Sequence, residues 1–390
     1  MKGLSILGST GSVGQNCLRV VGSLPAQLRV VSLSAGRNLA LLAKQIVEFK
    51  PKLVSVMSEE HIQSLREFIQ AAGYNEAVEI VAGQDGAIES ATLPEVDIVV
   101  SASHGITGLL ATYAAVRAGK RVGLANKETL VVAGELVMRE AEQNQVLPID
   151  SEHCAIHQCL RSGQRREVQR LILTGSGGPF LKTPLKAFAS ITPEDALKHP
   201  VWKMGGRITI DSSTLMNKGL EIIEARWLFG LTPAQIDVLI HPESIIHSMI
   251  EFVDRCVLAQ LAVADMRIPI QYALTYPDRI TTDGDHLTLD FMGLRALHFR
   301  RPDLRRFPCL ELGRQAIEEG GCIPCALNAA DEIAVAAFLE GRLPFSAIPR
   351  VIERVMRQTP RAHLDSMEDV LACDQDARRR ALEVIAAGVS

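Results

Sequence analysis

The chain has 390 residues, of which 47% are hydrophobic and 22% are charged, with a formal net charge of −4. These values are typical of a globular protein of two or three domains, and they exclude the broad basic surface of most nucleic-acid-binding proteins. Neither a signal peptide nor an apolar run of about 18 residues is apparent, so we expect a cytoplasmic protein without a nucleic-acid or membrane partner.

The first 150 residues alternate between short apolar runs and amphipathic helical stretches. This alternation predicts an α/β fold with a Rossmann-type parallel sheet and helices on both faces. The predicted strands are Gly3–Leu7, Arg29–Ser34, Leu53–Val56, Ile98–Ser101, Arg121–Leu124 and Gln145–Ile149.

A glycine-rich turn, GSTGSVG at residues 8–14, follows the first predicted strand and precedes a helical run. Glycines allow a tight turn, and the free N–H groups at the start of a helix can bind a pyrophosphate. An ordinary strand-to-helix turn is the alternative. The strand before it, the helix after it and the βαβ pattern beyond favour a dinucleotide site.

The second predicted strand ends in Ser-Ala-Gly-Arg-Asn, residues 34–38, without the acidic residue that usually binds the ribose of NAD. The guanidinium of Arg37 can instead pair with the 2′-phosphate of NADP(H). An exposed loop arginine is the alternative, and we favour NADPH as the cofactor.

Acidic side chains in two segments predict a metal site. Asp150 and Glu152 follow the last strand of the first region, and in an extended segment residues two apart point to the same side. Glu221 and Glu224 lie three apart on one helical face, and either can complete the set. Carboxylates without thiolates suit Mg²⁺ or Mn²⁺.

Polar loops in the next region predict a phosphate site. Ser176 lies in a glycine-rich loop after a strand, and Ser212, Asn217 and Lys218 lie in a second polar segment. Each loop alone is equally consistent with a simple polar turn. Between them, residues 199–206 contain His199 and Trp202 beside glycines, which suits either a lid over a substrate or a surface loop.

The chain is divided by pattern into regions 1–150, 151–290, 291–308 and 309–390. The second region has the pattern of an α+β domain, with predicted strands at Leu171–Thr174, Ile236–Ile240 and Cys256–Leu261. The third is a connecting segment rich in arginine and proline, and the fourth is mainly helical. Cys322 and Cys325 form one Cys-x-x-Cys pair without a second pair nearby, so we interpret them as buried or half-buried thiols.

Nine segments, in order, resemble the 1-deoxy-D-xylulose 5-phosphate reductoisomerase family and cover nearly the whole chain. They are GSTGSVG, ANKETLV, PIDSEH, LTGSGGPF, HPVWKMG, DSSTLMNKGLEIIEA, HPESIIHSM, DMRIPIQYAL and ALNAADEIAVAAF. The resemblance implies an NADPH-binding domain, a central metal and substrate domain, a C-terminal helical domain and a homodimer. It also implies the conversion of 1-deoxy-D-xylulose 5-phosphate, a small phosphorylated sugar, to 2-C-methyl-D-erythritol 4-phosphate in the non-mevalonate isoprenoid pathway.

The resemblance further implies roles for individual residues. Asp150, Glu152 and Glu221 would bind the metal and, with Lys127, act in catalysis. Ser176, Ser212, Asn217 and Lys218 would bind the substrate phosphate and its neighbouring hydroxyl, while Lys127, Ser151 and His199 would contact the substrate and Trp202 would cover it. The NADPH site would be lined by Thr10, Gly11, Ser12, Val13, Gly36, Arg37, Asn38, Asn126, Glu128 and Gly205.

Some positions depart from the family pattern, although none of them is an implied metal ligand. Arg37 and Arg207 stand where lysine is frequent, and Arg255-Cys256 stands where Gly-Ser is common. Cys154 and His157 are unusual after the metal segment.

Two other functions are consistent with parts of the chain. An aspartate-semialdehyde-type dehydrogenase would need a cysteine nucleophile, and Cys154 is the one near the predicted site. A non-catalytic NADPH sensor would not need the three acids.

Overall fold

The computed structural model of the chain describes residues 1–198, 205–281 and 287–388. The described residues form two compact units. The first contains 1–129, 137–154 and 265–281, and the second contains 130–136, 155–198, 205–264 and 287–388. Among the described residues, none of the helices combines the length and the hydropathy that crossing a bilayer requires.

The chain contains eleven strands and fifteen α-helices among its described residues, and the two alternate regularly in the N-terminal third. The strands are β1 (Lys2–Leu7), β2 (Leu28–Ala35), β3 (Leu53–Val56), β4 (Glu79–Ala82), β5 (Ile98–Ser101), β6 (Arg121–Leu124), β7 (Val146–Pro148), β8 (Val168–Gly175), β9 (Ile236–Ile240), β10 (Ile246–Phe252) and β11 (Val257–Leu261). The helices are α1 (Ser12–Ser23), α2 (Leu39–Phe49), α3 (Glu60–Ala71), α4 (Gly83–Thr92), α5 (Leu109–Arg117), α6 (Glu128–Glu140), α7 (Ser151–Leu160), α8 (Pro193–Ala196), α9 (Gly206–Thr214), α10 (Met216–Phe229), α11 (Arg267–Thr275), α12 (Pro308–Glu319), α13 (Ile323–Leu339), α14 (Ile348–Gln358) and α15 (Met367–Ala386).

The first unit contains a seven-stranded sheet in the order β4-β3-β2-β1-β5-β6-β7. Every neighbouring pair is parallel, which confirms the predicted Rossmann-type sheet. The six predicted strands are all present, whereas β4 was not predicted. Strand β4 has four residues at the edge of the sheet and none of them is fully buried, so its apolar signal is weak.

The core of the first unit is made by strands that are buried on both faces. In β1, Leu4 and Ile6 are fully buried, and α1 packs Cys17 and Leu18 into the same hydrophobic cluster. Burying a side chain of this size contributes about 1.5–3 kcal/mol. This packing fixes α1 directly after β1, and with it the turn that joins them.

The second unit contains a four-stranded sheet in the order β11-β10-β8-β9. Strands β8 and β9 are parallel, and β10 is antiparallel to both β8 and β11. The three strands predicted here are present, but β10 was missed. Its polar residues His247, Ser248 and Glu251 are buried, so the strand lacks the alternation of polar and apolar residues that marks a half-exposed strand.

One hydrophobic core joins the four-stranded sheet to the C-terminal helices within the second unit. Phe180 and Phe188, which follow β8, pack edge-on against Phe345 at centroid distances of 5.2 and 5.8 Å. Phe338 of α13 meets the same ring at 5.6 Å. The helices that follow residue 308 therefore support the segment after β8, where the polar loops of the second unit lie.

Candidate functional site

The glycine-rich turn after β1 has the geometry of a tight strand-to-helix connection. Gly8 has a φ of +85°, and a Cβ on it would lie 2.5 Å from the carbonyl oxygen of Ala102. The Gly11 amide donates to the Gly8 carbonyl at 3.0 Å, and α1 begins at Ser12. Thr10, Gly11, Ser12 and Val13 thus form the turn and the start of the helix at the carboxyl end of the sheet, where α/β sheets bind ligands.

Gly14→Ala is expected to lower the free energy of unfolding by about 1–3 kcal/mol, because a Cβ at Gly14 would lie 2.4 Å from the carbonyl oxygen of Gly8. Gly22 lies on the same helix, and a Cβ added there would meet nothing within 4 Å. Gly22→Ala should therefore raise stability by up to about 1 kcal/mol. Urea unfolding of the two variants tests this, and equal effects would contradict the close approach.

The end of β2 lies beside this turn. The amides of Gly8 and Ser9 both donate to the carbonyl of Ser34, at 2.8 and 2.9 Å. Asn38 begins α2 by accepting a hydrogen bond from the Leu41 amide at 3.2 Å, and Arg37 is exposed. Gly36, Arg37 and Asn38 are therefore brought next to the glycine-rich turn, and the cation of Arg37 is accessible to a ligand.

On the other side of β1, Asn126 and Lys127 follow the end of β6, and Asp150 follows the end of β7. The Asn126 side chain donates to the Gly105 carbonyl at 2.7 Å. The Lys127 ammonium lies 2.6 Å from Asp150 Oδ2, and the two side chains are only 7% and 9% exposed. Lys127 therefore lies at the start of a helix but not on the surface. Glu128, the next residue, is the first of α6.

Asp150 also organises the start of α7. Its Oδ1 accepts hydrogen bonds from the Glu152 amide at 3.0 Å and the His153 amide at 3.3 Å, and it lies 3.1 Å from His153 Nδ1. The hydroxyl of Ser151 donates to Glu152 Oε2 at 2.7 Å. One oxygen of Asp150 therefore caps the helix while the other pairs with Lys127, which compensates a nearly buried carboxylate.

A second buried ion pair lies on α10 of the second unit. The Lys218 ammonium donates to Glu221 Oε2 and the Asn217 amide donates to Glu221 Oε1, both at 2.5 Å. The side chains of Lys218 and Glu221 are 5% and 0% exposed. Glu224, the other predicted acid, is also fully buried on the same helix.

The polar loops of the second unit lie against this helix and the end of α9. A Cβ on Gly175, at the end of β8, would lie 2.9 Å from Lys218 Cε, and one on Gly178 would lie 2.7 Å from the carbonyl oxygen of Ser212. Ser176 lies between these two glycines and accepts from the Gly178 amide at 3.3 Å. Ser176, Ser212, Asn217 and Lys218 are therefore brought into one neighbourhood, as one shared phosphate site requires.

Gly205 directly precedes α9 and is exposed, and its carbonyl accepts from the Thr209 hydroxyl at 2.8 Å. His199 and Trp202 of the predicted lid lie outside the described residues.

Comparison with known families accounts for most of the chain. Residues 4–134 match "1-deoxy-D-xylulose 5-phosphate reductoisomerase", residues 146–229 match "1-deoxy-D-xylulose 5-phosphate reductoisomerase C-terminal domain", and residues 261–380 match "DXP reductoisomerase C-terminal domain". The chain belongs to the 1-deoxy-D-xylulose 5-phosphate reductoisomerase family. The resemblance found in the sequence is thereby confirmed.

Relatives and solved structures match over almost the full length. The chain is 49% identical to the reductoisomerase of Pelotomaculum thermopropionicum over 387 residues, which is 99% of each chain, and 50% identical to that of Heliobacterium modesticaldum over 390 residues. The Zymomonas mobilis reductoisomerase, solved in complex with NADPH, is 41% identical with a TM-score of 0.90 and covers 98% of this chain and 99% of its own. Another reductoisomerase, solved with NADPH, fosmidomycin and magnesium, is 38% identical with a TM-score of 0.91 and covers 99% of this chain and 98% of its own.

Arg207, one of the departures from the family pattern, links α9 to α13. Its guanidinium lies 2.6 Å from Glu332 Oε1, donates to Asn328 Oδ1 at 2.9 Å and lies 3.6 Å from Asp331 Oδ2. A lysine would offer one ammonium where the arginine fork reaches several acceptors. This connection was not predicted, because it depends on a contact between two distant helices.

The other departures also have structural explanations. Arg255 has a φ of +73° in the turn between β10 and β11, a conformation that favours the glycine that the family resemblance leads us to expect there. Cys154 is 1% exposed, unlike the partly exposed cysteines that act as nucleophiles, so its setting does not favour a dehydrogenase of the aspartate-semialdehyde type. Burial, followed by the charge of Arg161, lowers the pKa of His157 to about 4.

Proposed function

We propose that this chain uses NADPH and a divalent cation to rearrange and reduce 1-deoxy-D-xylulose 5-phosphate to 2-C-methyl-D-erythritol 4-phosphate, a step of the non-mevalonate isoprenoid pathway. The observation that carries the proposal is the nearly buried pair of Lys127 and Asp150 at the carboxyl end of the parallel sheet. Burying both charges costs desolvation free energy. Buried charged groups of this kind are frequent at sites that bind charged substrates.

The glycine-rich turn fits the pyrophosphate of NADPH. The close approaches at Gly8 and Gly14 leave no room for a side chain, and the first amides of α1 lie at the carboxyl end of β1. Arg37 would hold the 2′-phosphate, while Gly36, Asn38, Asn126, Glu128 and Gly205 would complete the proposed cofactor site.

Arg37→Ala is expected to lower kcat/KM for NADPH by about 10–100-fold and to leave kcat/KM for NADH nearly unchanged. A charge-assisted hydrogen bond contributes about 1.5–3 kcal/mol, and only NADPH carries the phosphate that Arg37 would bind. Lys44→Ala, which removes an exposed cation on α2, is the matched control. An equal loss with both cofactors would contradict the proposed contact.

The donor set of Asp150, Glu152 and Glu221 fits a hard divalent cation, because it offers only carboxylate oxygens. We propose these three residues as ligands of Mg²⁺ or Mn²⁺. When bound, the cation would act as a Lewis acid that lowers the cost of negative charge on substrate oxygens. Lys127 and Lys218 support this role, since each compensates the adjacent carboxylate through an ion pair of 2.5–2.6 Å.

The remaining residues would bind and orient the substrate. Ser176, Ser212, Asn217 and Lys218 would hold its phosphate, and the binding energy of this remote group would keep the reacting carbons in register. Ser151 and Lys127 would contact the substrate backbone. His199 and Trp202, outside the described residues, are proposed from the family resemblance to contact and cover the substrate.

The decisive experiment mixes the purified protein with NADPH, 1-deoxy-D-xylulose 5-phosphate and either Mg²⁺ or Mn²⁺, and follows the absorbance of the reduced nicotinamide. We expect oxidation of NADPH that stops when a chelator is added. Oxidation that does not depend on the metal, or no oxidation at all, would overturn the proposal. Full activity of Cys154→Ala would separately exclude the dehydrogenase alternative.

We further propose that the protein is a cytoplasmic homodimer whose domains are divided at residues 150, 290 and 308. The sequence and the family resemblance support these proposals. Analytical ultracentrifugation of the purified protein tests the dimer, and a sedimentation coefficient of a monomer at micromolar concentration would contradict it.

A further inference from the structure

Three cysteines meet where α13 and α15 pack together in the second unit. Cys322 immediately precedes α13, Cys325 lies in its first turn, and Cys373 lies on α15. The Cys373 thiol donates to the Cys322 carbonyl oxygen at 3.5 Å, and the thiols of Cys325 and Cys322 are close enough to influence its pKa. None of these cysteines belongs to the proposed NADPH, metal or phosphate site.

The three thiols differ in their access to solvent. Cys325 is 0% exposed and Cys322 is 4% exposed, whereas Cys373 is only partly buried. A small reagent in solution therefore reaches Cys373 first. Two buried thiols lie directly behind it.

The pKa values of these thiols also differ. Hydrogen bonds from Cys325, and less strongly from Cys322, lower the pKa of the Cys373 thiol, against the opposing effects of burial and of Asp374 and Asp376. The hydrogen bond with Cys373, followed by burial, raises the pKa of Cys325 well above its usual value. A partly exposed thiol with a lowered pKa beside a buried thiol with a raised pKa is the arrangement of a reactive cysteine and its resolving partner.

We propose that Cys373 and Cys325 form a redox modification site that a peroxide converts to a disulfide between α15 and α13. The Cys373 thiolate attacks one peroxide oxygen, the O–O bond breaks, and a sulfenic acid forms as the first water leaves. The Cys325 sulfur then attacks the sulfenic sulfur, the S–O bond breaks, and the second water carries away the proton. The two thiols lose two electrons in total, and the peroxide gains them.

Cys325 is assigned as the partner because its contact with a backbone carbonyl is longer than that of Cys322 and lies on the helix that carries Cys373. Cys322 Sγ donates to the Pro360 carbonyl at 2.6 Å, a short contact that holds its hydrogen away from Cys373. The Cys325 thiol donates to the carbonyl of Val370 at 3.6 Å, and Val370 is one turn before Cys373 on α15. Its side chain therefore faces the turn of α15 that carries Cys373.

The test treats the full-length protein with hydrogen peroxide at about equal concentration, blocks remaining thiols with N-ethylmaleimide and maps the tryptic peptides by mass spectrometry. Cleavage places Cys322 and Cys325 together in residues 315–342 and Cys373 in residues 362–378. We expect these two peptides to be joined, with fragment ions that place the bond on Cys325 and release by dithiothreitol. Cys373→Ser and Cys325→Ser should abolish the bond, whereas Cys322→Ser should retain it.

Cys256 is exposed and serves as a control for whether solvent exposure alone determines which cysteine is oxidised. Peroxide that modifies Cys256 while leaving Cys373 reduced, or a bond placed on Cys322, would overturn the proposal. Because Cys325→Ser changes a fully buried residue, its circular dichroism spectrum must match that of the parent. The peptide map of the unsubstituted protein decides the question even if this variant does not fold. All of these readouts are independent of catalytic activity, so they stand apart from the proposed function.

Discussion

Glu152→Gln is expected to lower kcat/KM by about a thousandfold, with no measurable loss of folding stability. If Glu152 is a ligand of the divalent cation, the neutral amide weakens the positioning and the affinity of the Lewis acid. Such an ion contributes several kcal/mol of transition-state stabilisation, and a loss of about 4 kcal/mol corresponds to about a thousandfold in rate. Higher Mn²⁺ concentrations should restore part of the activity.

Glu152 is a better choice for this test than Asp150 or Glu221. Each of those two carboxylates is within 2.5–2.6 Å of a nearly buried lysine, so removing its charge would disturb folding as well as metal binding. The Ser151 hydroxyl donates to Glu152, and the oxygen of a glutamine can still accept that bond. Exposed Glu142→Gln is the matched control. Normal activity of Glu152→Gln at low metal concentration would refute the proposed ligand.

The Lys218→Met variant should be less stable than the parent by about 3–5 kcal/mol and should lose activity. Lys218 is the ammonium next to Glu221, and both side chains are nearly or fully buried. Removing one partner of a buried pair leaves the other charge in a low-dielectric setting without compensation. Urea unfolding in the absence of metal measures the effect, and exposed Lys186→Met should change little.

A double variant separates stability from function at this pair. Replacing both members of a buried ion pair by apolar residues of similar volume is often neutral for stability. Lys218→Met combined with Glu221→Leu should therefore recover most of the lost stability while activity stays absent. If the double variant is as unstable as Lys218→Met alone, the cost does not come from the uncompensated carboxylate.

The local pattern of apolar and polar residues was sufficient to predict most of the strands. The prediction failed for two strands whose burial in the folded chain departs from that pattern. All nine predicted strands are present. Each could be predicted because its apolar residues and the turn residues that flank it are close together in the sequence. Strand β4 was missed because it is a short edge strand, and β10 was missed because it buries polar residues. The contact of Arg207 with α13 could not be predicted from local pattern either, because its partners lie more than a hundred residues away along the chain.

The parallel sheet, the glycine-rich turn with Arg37 beside it, and the family were all predictable from the order of the amino acids. These features depend on residues close together in the chain, or on motifs in a fixed order. The burial of Lys127 against Asp150 and the close approach of Gly178 to Ser212 become apparent only in the folded chain. The same holds for the contact of Cys373 with the thiols beside α13. Side chains from separate segments become neighbours only when their elements pack, and that packing also sets the exposure on which their charge and reactivity depend.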